Sequence, residues 1–310
     1  MTAAPREAGV DEATVDIILP THARAHTIGC SIEAVLQQTH ARFVLHVVGD
    51  GCDDATAAAV LACDDPRLRF HRLPKARGYG YANRNRVLAA ARGQFIAYAT
   101  DDDLWFPDHL EIALRALERD GLELVALRPV HVEFPDALDP HFFAFDWRRP
   151  RVPTALLRNW FIGGPIVVHR RRLFDRLGYW DERLARFGDR EFFNRVRRAA
   201  TTAYVDVPSV VRFYALHWER HYRGLAEAPQ RRYLAALRDA EWCRRVRAAA
   251  APGPRPLAVR ARQWRDCGRF ALRSGPKLIR FWYEVAHPIG RRAGESEARN
   301  SAGAVDGDVR

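Results

Sequence analysis

Along the chain, short apolar runs alternate with longer stretches of helical spacing. Residues 15–19 form an apolar run stopped by Pro20, and Ile28, Ile32, Val35 and Leu36 then recur at the period of a helix face. A β-rich run over 43–48 closes on Gly49-Asp50-Gly51 and leads into an Ala-rich helical segment over 54–62. The order then repeats, with a weaker strand at 68–73, a helix over 81–91 with Gly93 as its C-cap, and a strand over 94–99. Further on, the pattern predicts an amphipathic helix over 107–120 with Pro107 in its first turn and a strand over 122–127. An irregular stretch rich in Pro and aromatics over 135–153 follows, then a strand over 166–169 and helices over 171–177 and 191–199.

Alternation at these lengths predicts an α/β fold, a Rossmann-like and mostly parallel sheet with helices on both faces. In such sheets ligands bind beyond the carboxyl ends of the strands, where Pro20-Thr21, Asp50 and the run Asp101-Asp102-Asp103 all fall. Adjacent carboxylates repel, and a divalent cation is one compensation for keeping them ionised at the end of a buried strand. A turn or a helix N-cap is the other reading of the same run.

Composition supports a soluble enzyme with a sizeable core: 310 residues, 48% of them hydrophobic. No apolar stretch reaches the roughly 20 residues that span a bilayer, and residues 1–12 have no hydrophobic core of a signal peptide, so a cytoplasmic location is expected. The five cysteines are odd in number and form no Cys-x-x-Cys pair, which disfavours a zinc site or a disulfide framework. Charge is uneven. From Arg220 onward there are 20 Lys+Arg against 9 Asp+Glu, which accounts for the whole net charge of +11, while residues 1–219 are balanced. That balance argues against a nucleic-acid-binding main domain and for a catalytic body with a basic extension.

The ordered motifs carry a resemblance. Ile17-Ile18-Leu19-Pro20-Thr21 with Arg24, then Gln38-Thr39, then Val47-Val48-Gly49-Asp50-Gly51, then Ala82-Asn83-Arg84-Asn85-Arg86, then the aspartate run with Trp105 and Pro107, follow one another over about residues 14–110. Together they resemble the family-2 glycosyltransferases of GT-A fold, except that Gly49 replaces the first acid of the second-strand motif. A second block, Gly178-Tyr179-Trp180-Asp181-Glu182 and Phe187-Gly188-Asp189-Arg190-Glu191, extends the likeness to about residue 219. The family usually has Glu-Asp where this chain has Gly188-Asp189, a variant similar to the bacterial spore-coat polysaccharide glycosyltransferase type.

The resemblance implies the following domains: a flexible N-terminus over 1–13 and a GT-A domain over 14–219, with a nucleotide-binding half to residue 110 and an acceptor and catalytic half from 111. It also implies an inverting, metal-dependent transfer of a sugar from a UDP- or dTDP-linked donor to a hydroxyl of a bacterial glycan or lipid-linked acceptor in polysaccharide synthesis. Asp102, with Asp103, would hold Mg²⁺ or Mn²⁺; Asp101 would accept from the ribose and Asp50 from the base. Pro20, Thr21 and Arg24 would line the nucleotide pocket, and Arg84 would contact phosphate or base. Asp189 would be the general base, or would cap the helix behind it.

Other readings stay open. Trp160 with Gly163-Gly164 suits an acceptor site or a turn, and His217 suits a metal or diphosphate contact or a surface loop. A basic helical extension over 220–292 fits either a cap on the body or a peripheral contact with anionic lipid, and 293–310 has the composition of a disordered tail. The rivals to glycosyl transfer are a sugar-nucleotide nucleotidyltransferase, which needs a Gly-rich, Lys-bearing loop that 20–25 does not offer, and an inactive glycan-binding relative. No nucleic-acid partner is expected.

Overall fold

Apolar runs become strands and periodic stretches become helices in the order β1 (Val15–Thr21), α1 (Ile28–Leu36), β2 (Phe43–Asp50), α2 (Asp54–Leu61), β3 (Leu68–Leu73), α3 (Tyr81–Ala90), β4 (Phe95–Tyr98), β5 (Leu104–Trp105) and α4 (His109–Arg119). Next come β6 (Leu124–Glu133), β7 (Ala137–Asp139), a 3-10 turn at Gly164–Ile166, β8 (Val167–Arg170), α5 (Leu173–Leu177), α6 (Gly188–Ala199), β9 (Thr202–Phe213), α7 (Pro229–Leu237) and α8 (Ala240–Ala250). This is a computed structural model that describes residues 14–133, 137–139, 164–213 and 229–251. Contacts divide the chain into Met1–Cys267 and Gly268–Arg310, and every described residue belongs to the first unit.

Among the described residues the strands form one nine-stranded sheet in the order β3-β2-β1-β4-β8-β6-β9-β5, with β7 beside β6. The first four are parallel; β8 enters antiparallel between β4 and β6, and β6 and β9 run parallel again. After β1 the chain builds outward to β2 and β3, then returns to place β4 on β1's other side. Order therefore reverses at β1 and β4, and a crevice opens past their carboxyl ends. Thr21 ends β1, and the aspartate run begins three residues beyond β4.

Both central strands are buried, as the continuous apolar runs Ile17-Ile18-Leu19 and Phe95–Tyr98 require of parallel strands covered on two faces. Helix α3 packs on β1 and β2, and α4 on β6, β8 and β9. A second apolar cluster joins Leu104, Phe106, Val211 and Phe213 to Tyr233, Leu234 and Leu237 of α7 and Val246 of α8. The described part of the expected basic extension thus shares a core with the body. Arg247 anchors it with two hydrogen bonds to Asp108, at 2.7 and 2.6 Å, and a third to the Pro208 carbonyl at 3.1 Å. Residues 252–292 and the end expected to be disordered lie outside the described residues.

Several boundaries differ from expectation. Strand β9 was not foreseen, because Asp206 and Pro208 interrupt its apolar pattern; a register shift near Arg128 and Pro129 of β6 absorbs both prolines. Gly93 does not cap α3, which ends at Ala90 with Ala91 in the C-cap position. Its N–H donates to the Asp16 carboxylate at 2.6 Å, and a Cβ there would lie 2.9 Å from Asp16 atoms. Helix α6 begins at Gly188, three residues before the expected start.

Candidate active site

Thr21, Arg24, Asp50, Arg84, Asp101, Asp102 and Asp189 gather around the crevice beyond β1 and β4. At its centre is Arg84, on the second turn of α3. The guanidinium lies over the rings of Tyr81, at 5.2 Å, and Trp180, at 5.3 Å, and its Nε is buried with no hydrogen-bond partner among the described residues. Burial holds its pKa below the usual arginine value, while Tyr81, Asp189, Asp50 and Asp101 pull the other way. A partly desolvated cation stacked on two rings, with acids around it and its Nε unpartnered among the described residues, is suited to an anionic ligand.

Trp180 is held from behind. Its Nε1–H donates to the Tyr98 hydroxyl at 3.4 Å, and that hydroxyl lies 2.9 Å from His169 Nε2. His169 Nδ1 faces the Arg170 carbonyl at 2.9 Å, so Nδ1 carries the proton and Nε2 accepts from Tyr98. Burial pushes the His169 pKa down to about 4, keeping the ring neutral. Asn85 ties the same segment to α3, donating to the Trp180 carbonyl and to Glu182, each at 2.8 Å, and accepting the Trp180 N–H at 3.2 Å.

Asp50, at the end of β2, accepts from Lys75, from the Ala76 N–H at 2.8 Å and from Asn83 Nδ2 at 2.7 Å. Burial raises its pKa, but these donors outweigh burial and hold the carboxyl below the ordinary range. Gly80, at φ +73°, makes room for it: a Cβ there would lie 2.4 Å from Asp50 Oδ2. Lys75 carries no sequence signal, and Asn83 lies within the motif over 82–86, whose spacing does not reveal that it meets Asp50.

The three consecutive aspartates have separate environments. Asp101 lies 3.7 Å from Arg24 Nε, and burial raises its carboxyl against the pull of Arg24, Thr21 and Arg84. Asp102 is raised well above the usual value, by burial first and then by the charges of Asp103 and Asp101. Asp103 is buried, and its oxygens accept from Arg212 Nε and the Phe213 N–H, each at 3.0 Å. The partners at 212 and 213 come from β9, the strand the sequence did not reveal.

For a divalent cation the donor chemistry fits at Asp102, whose raised carboxyl is what a nearby positive charge would relieve. Among the described residues no three His, Cys, Asp or Glu groups converge as a ready metal cluster, so further ligands would come from a bound diphosphate and water. Asp189 sits in the first turn of α6, and its charge reaches Tyr81, Arg84 and Tyr98. Phe187, just before α6, is at φ 64°, the one non-glycine positive φ among the described residues.

Pro20 is half-buried in β1 opposite Val48. Gly164 opens the 3-10 turn; a Cβ there would make ordinary 3.5 Å contact with Tyr98, so sterics do not demand glycine. Trp160, Gly163 and His217 lie outside the described residues.

The description of Glycosyl transferase family 2 matches residues 16–181, over half of the chain, and the chain belongs to that family. It is 34% identical over 116 residues to the Escherichia coli UDP-Glc:alpha-D-GlcNAc-diphosphoundecaprenol beta-1,3-glucosyltransferase WfgD, a match covering 37% of this chain and 46% of that protein. The chain thus spans under half the length of this curated relative. In fold it is similar to S. aureus TarS in complex with UDP-GlcNAc, with TM-score 0.53, 18% identity, and 64% of this chain and 58% of that one covered. It is also similar to the mannosyltransferase PcManGT from Pyrobaculum calidifontis in complex with GDP-Man and Mn²⁺, with TM-score 0.51, 20% identity, and 91% and 88% covered. The GT-A fold is that of these neighbours. The spore-coat type is not specified by any of them.

Proposed function

We propose that this enzyme transfers a sugar, with inversion, from a UDP- or dTDP-linked donor to a hydroxyl of a glycan or lipid-linked acceptor in bacterial polysaccharide synthesis. The observation that carries the reading is Arg84, a half-buried, ring-stacked guanidinium whose buried Nε has no hydrogen-bond partner among the described residues, close to the charges of Asp50, Asp101 and Asp189. It is suited to the donor diphosphate. The UDP-GlcNAc bound by TarS and the UDP-Glc in the name of WfgD support a uridine nucleotide.

In this reading Thr21, Arg24 and Pro20 line the nucleotide pocket, Asp101 takes the ribose and Asp50 the base edge, steadied by Lys75 and Asn83. Asp102 is the protein's ligand to Mg²⁺ or Mn²⁺, and Asp103 braces the loop from behind. A divalent ion there supplies Lewis-acid neutralisation of the leaving diphosphate, in line with the Mn²⁺ of PcManGT. Asp189 takes the proton of the acceptor hydroxyl as its oxygen bonds to the anomeric carbon and the bond to the diphosphate breaks on the opposite face.

A thermal-shift panel of UDP, dTDP and GDP with and without Mn²⁺ tests the reading. Stabilisation by UDP or dTDP that needs metal is expected, and no response to any diphosphate would overturn it. The Arg-rich stretch beyond 251 suits contact with anionic lipid. Liposome flotation with and without residues 255–310 tests that, and equal recovery in the unbound fraction would remove it. Among the described residues no helix is long and apolar enough to cross a membrane.

A further inference from the structure

The pairing of Gly188 with Asp189 is explained by a residue 107 positions earlier. Tyr81 opens α3 and is buried, and its hydroxyl accepts the Gly188 N–H at 2.9 Å. That N–H is one of the unpaired donors at the start of α6, whose N-cap residue, Phe187, gives no side-chain cap. The same Tyr81 ring fills the space over position 188: a Cβ there would lie 2.8, 2.9 and 3.0 Å from Cζ, Cε2 and Cε1. Rings do not yield as a flexible chain end does, so the tyrosine at 81 and the bare backbone at 188 require each other.

One face of that ring also carries the Arg84 guanidinium at 5.2 Å, and the Trp180 ring lies 5.7 Å away on centroids. Tyr81 therefore touches both halves of the site, the cation facing the diphosphate and the helix end bearing Asp189. Burial and then the Asp189 charge push its pKa up to about 12, so it meets the Gly188 N–H as a phenol.

We propose that Tyr81 is a positioning residue that sets Asp189 and Arg84 relative to one another, with Gly188 as its obligatory steric partner. This rests on the reading of the site given above. The hydroxyl fixes the start of α6, and hence the direction of the Asp189 carboxylate. The ring fixes the plane of the guanidinium. A base displaced by a fraction of an ångström loses rate without losing donor affinity.

Four variants of the full chain test this: Tyr81→Phe, Tyr81→Leu, Gly188→Ala and the Gly188→Ala/Tyr81→Leu double. Each is read by Tm, by UDP affinity with Mn²⁺, and by kcat and KM for UDP release from UDP-glucose and UDP-N-acetylglucosamine. Tyr81→Phe keeps the ring and should lower kcat about tenfold with UDP affinity and KM unchanged. Gly188→Ala should lower Tm and kcat together. The double variant should recover Tm, because the clash is gone, yet leave kcat low and UDP binding weakened, because hydroxyl and ring are both missing.

Recovery of kcat along with Tm in the double variant, or a Tyr81→Phe kcat equal to wild type, would reduce Tyr81 to packing and overturn the proposal. A wild-type protein that binds no nucleoside diphosphate would overturn the reading of the site, and the positioning role with it. Tm rescue between 81 and 188 would still stand in that case, so the two failures are distinguishable.

Discussion

Arg212 Nε meets the buried carboxylate of Asp103 at 3.0 Å, fastening the aspartate run to the last residues of β9. Asp103→Ala would strand these donors and should cost about 3 kcal/mol of stability in urea unfolding. Metal-dependent binding of UDP by whatever protein stays folded should survive, and its selective loss would return Asp103 to the ligand role.

Asp102 should behave oppositely. Burial and two neighbouring carboxylates raise its pKa in the fold. The stabilisation from its protonated form is therefore complete below the unfolded value of 3.8 and is lost as pH rises through the higher folded value. Metal-free protein should lose stability through this group from acid toward neutral pH. Asp102→Asn should flatten that dependence, raise Tm at neutral pH and abolish the Mn²⁺-dependent UDP response. A Tm–pH series in EDTA checks the first two effects, and a lower neutral-pH Tm would contradict them.

Asp189→Asn keeps the side chain's size and removes its basicity. Turnover should fall by about 10² to 10⁴, while UDP affinity measured by calorimetry stays at the wild-type value. Equal turnover would take Asp189 out of the chemistry.

Two glycines separate backbone strain from a steric role at the site. Gly80 and Gly121 both have positive φ, 73° and 59°, but only at Gly80 would a Cβ strike the Asp50 carboxylate; at Gly121 nothing lies within 4 Å. Gly121→Ala should cost about 1 kcal/mol and leave UDP binding intact. Gly80→Ala should cost about 2–3 kcal/mol and weaken UDP binding. Asp50 itself has a lowered pKa, so its contribution is present above 3.8 and is lost as pH falls through the still lower folded value. Acid unfolding of Asp50→Asn should therefore lack that component.

Arg247→Ala should lower stability by about 2–3 kcal/mol, because it removes two charge-assisted bonds to Asp108 and one to the Pro208 carbonyl. Ending the chain at 228 should be worse, since Phe106, Val211 and Phe213 would lose the cover of Tyr233 and Leu234. Recovery of that truncated chain as folded, soluble protein by circular dichroism would contradict the shared core.

Nearly all of the first half of the fold was legible, because β1, β2 and β4 are apolar runs and alternate with helical stretches in the order an α/β fold requires. Loops at strand ends then located Thr21, Asp50 and Asp101 to Asp103 by rule. What escaped was non-local. Strand β9 hides behind Asp206 and Pro208, and the two-residue β5 leaves no pattern. Asp103's partners lie 109 and 110 residues away, and Tyr81 meets Gly188 across 107. No local propensity encodes such pairings, and Lys75 and Asn83 acquire their meaning only once Asp50 has been placed.

Gln230 Nε2, on α7, reaches the Asp102 backbone carbonyl at 3.4 Å, and β9 closes on Asp103 from residues 212 and 213. A chain leaving the ribosome therefore exposes Asp102 and Asp103 long before the groups that fix them exist. The nucleotide half can collapse early, but its aspartate loop stays without its braces until more than 120 further residues have been made. Competence at this site is thus a late event in the life of the polypeptide, set by the arrival of β9 and α7 rather than by the making of the carboxylates.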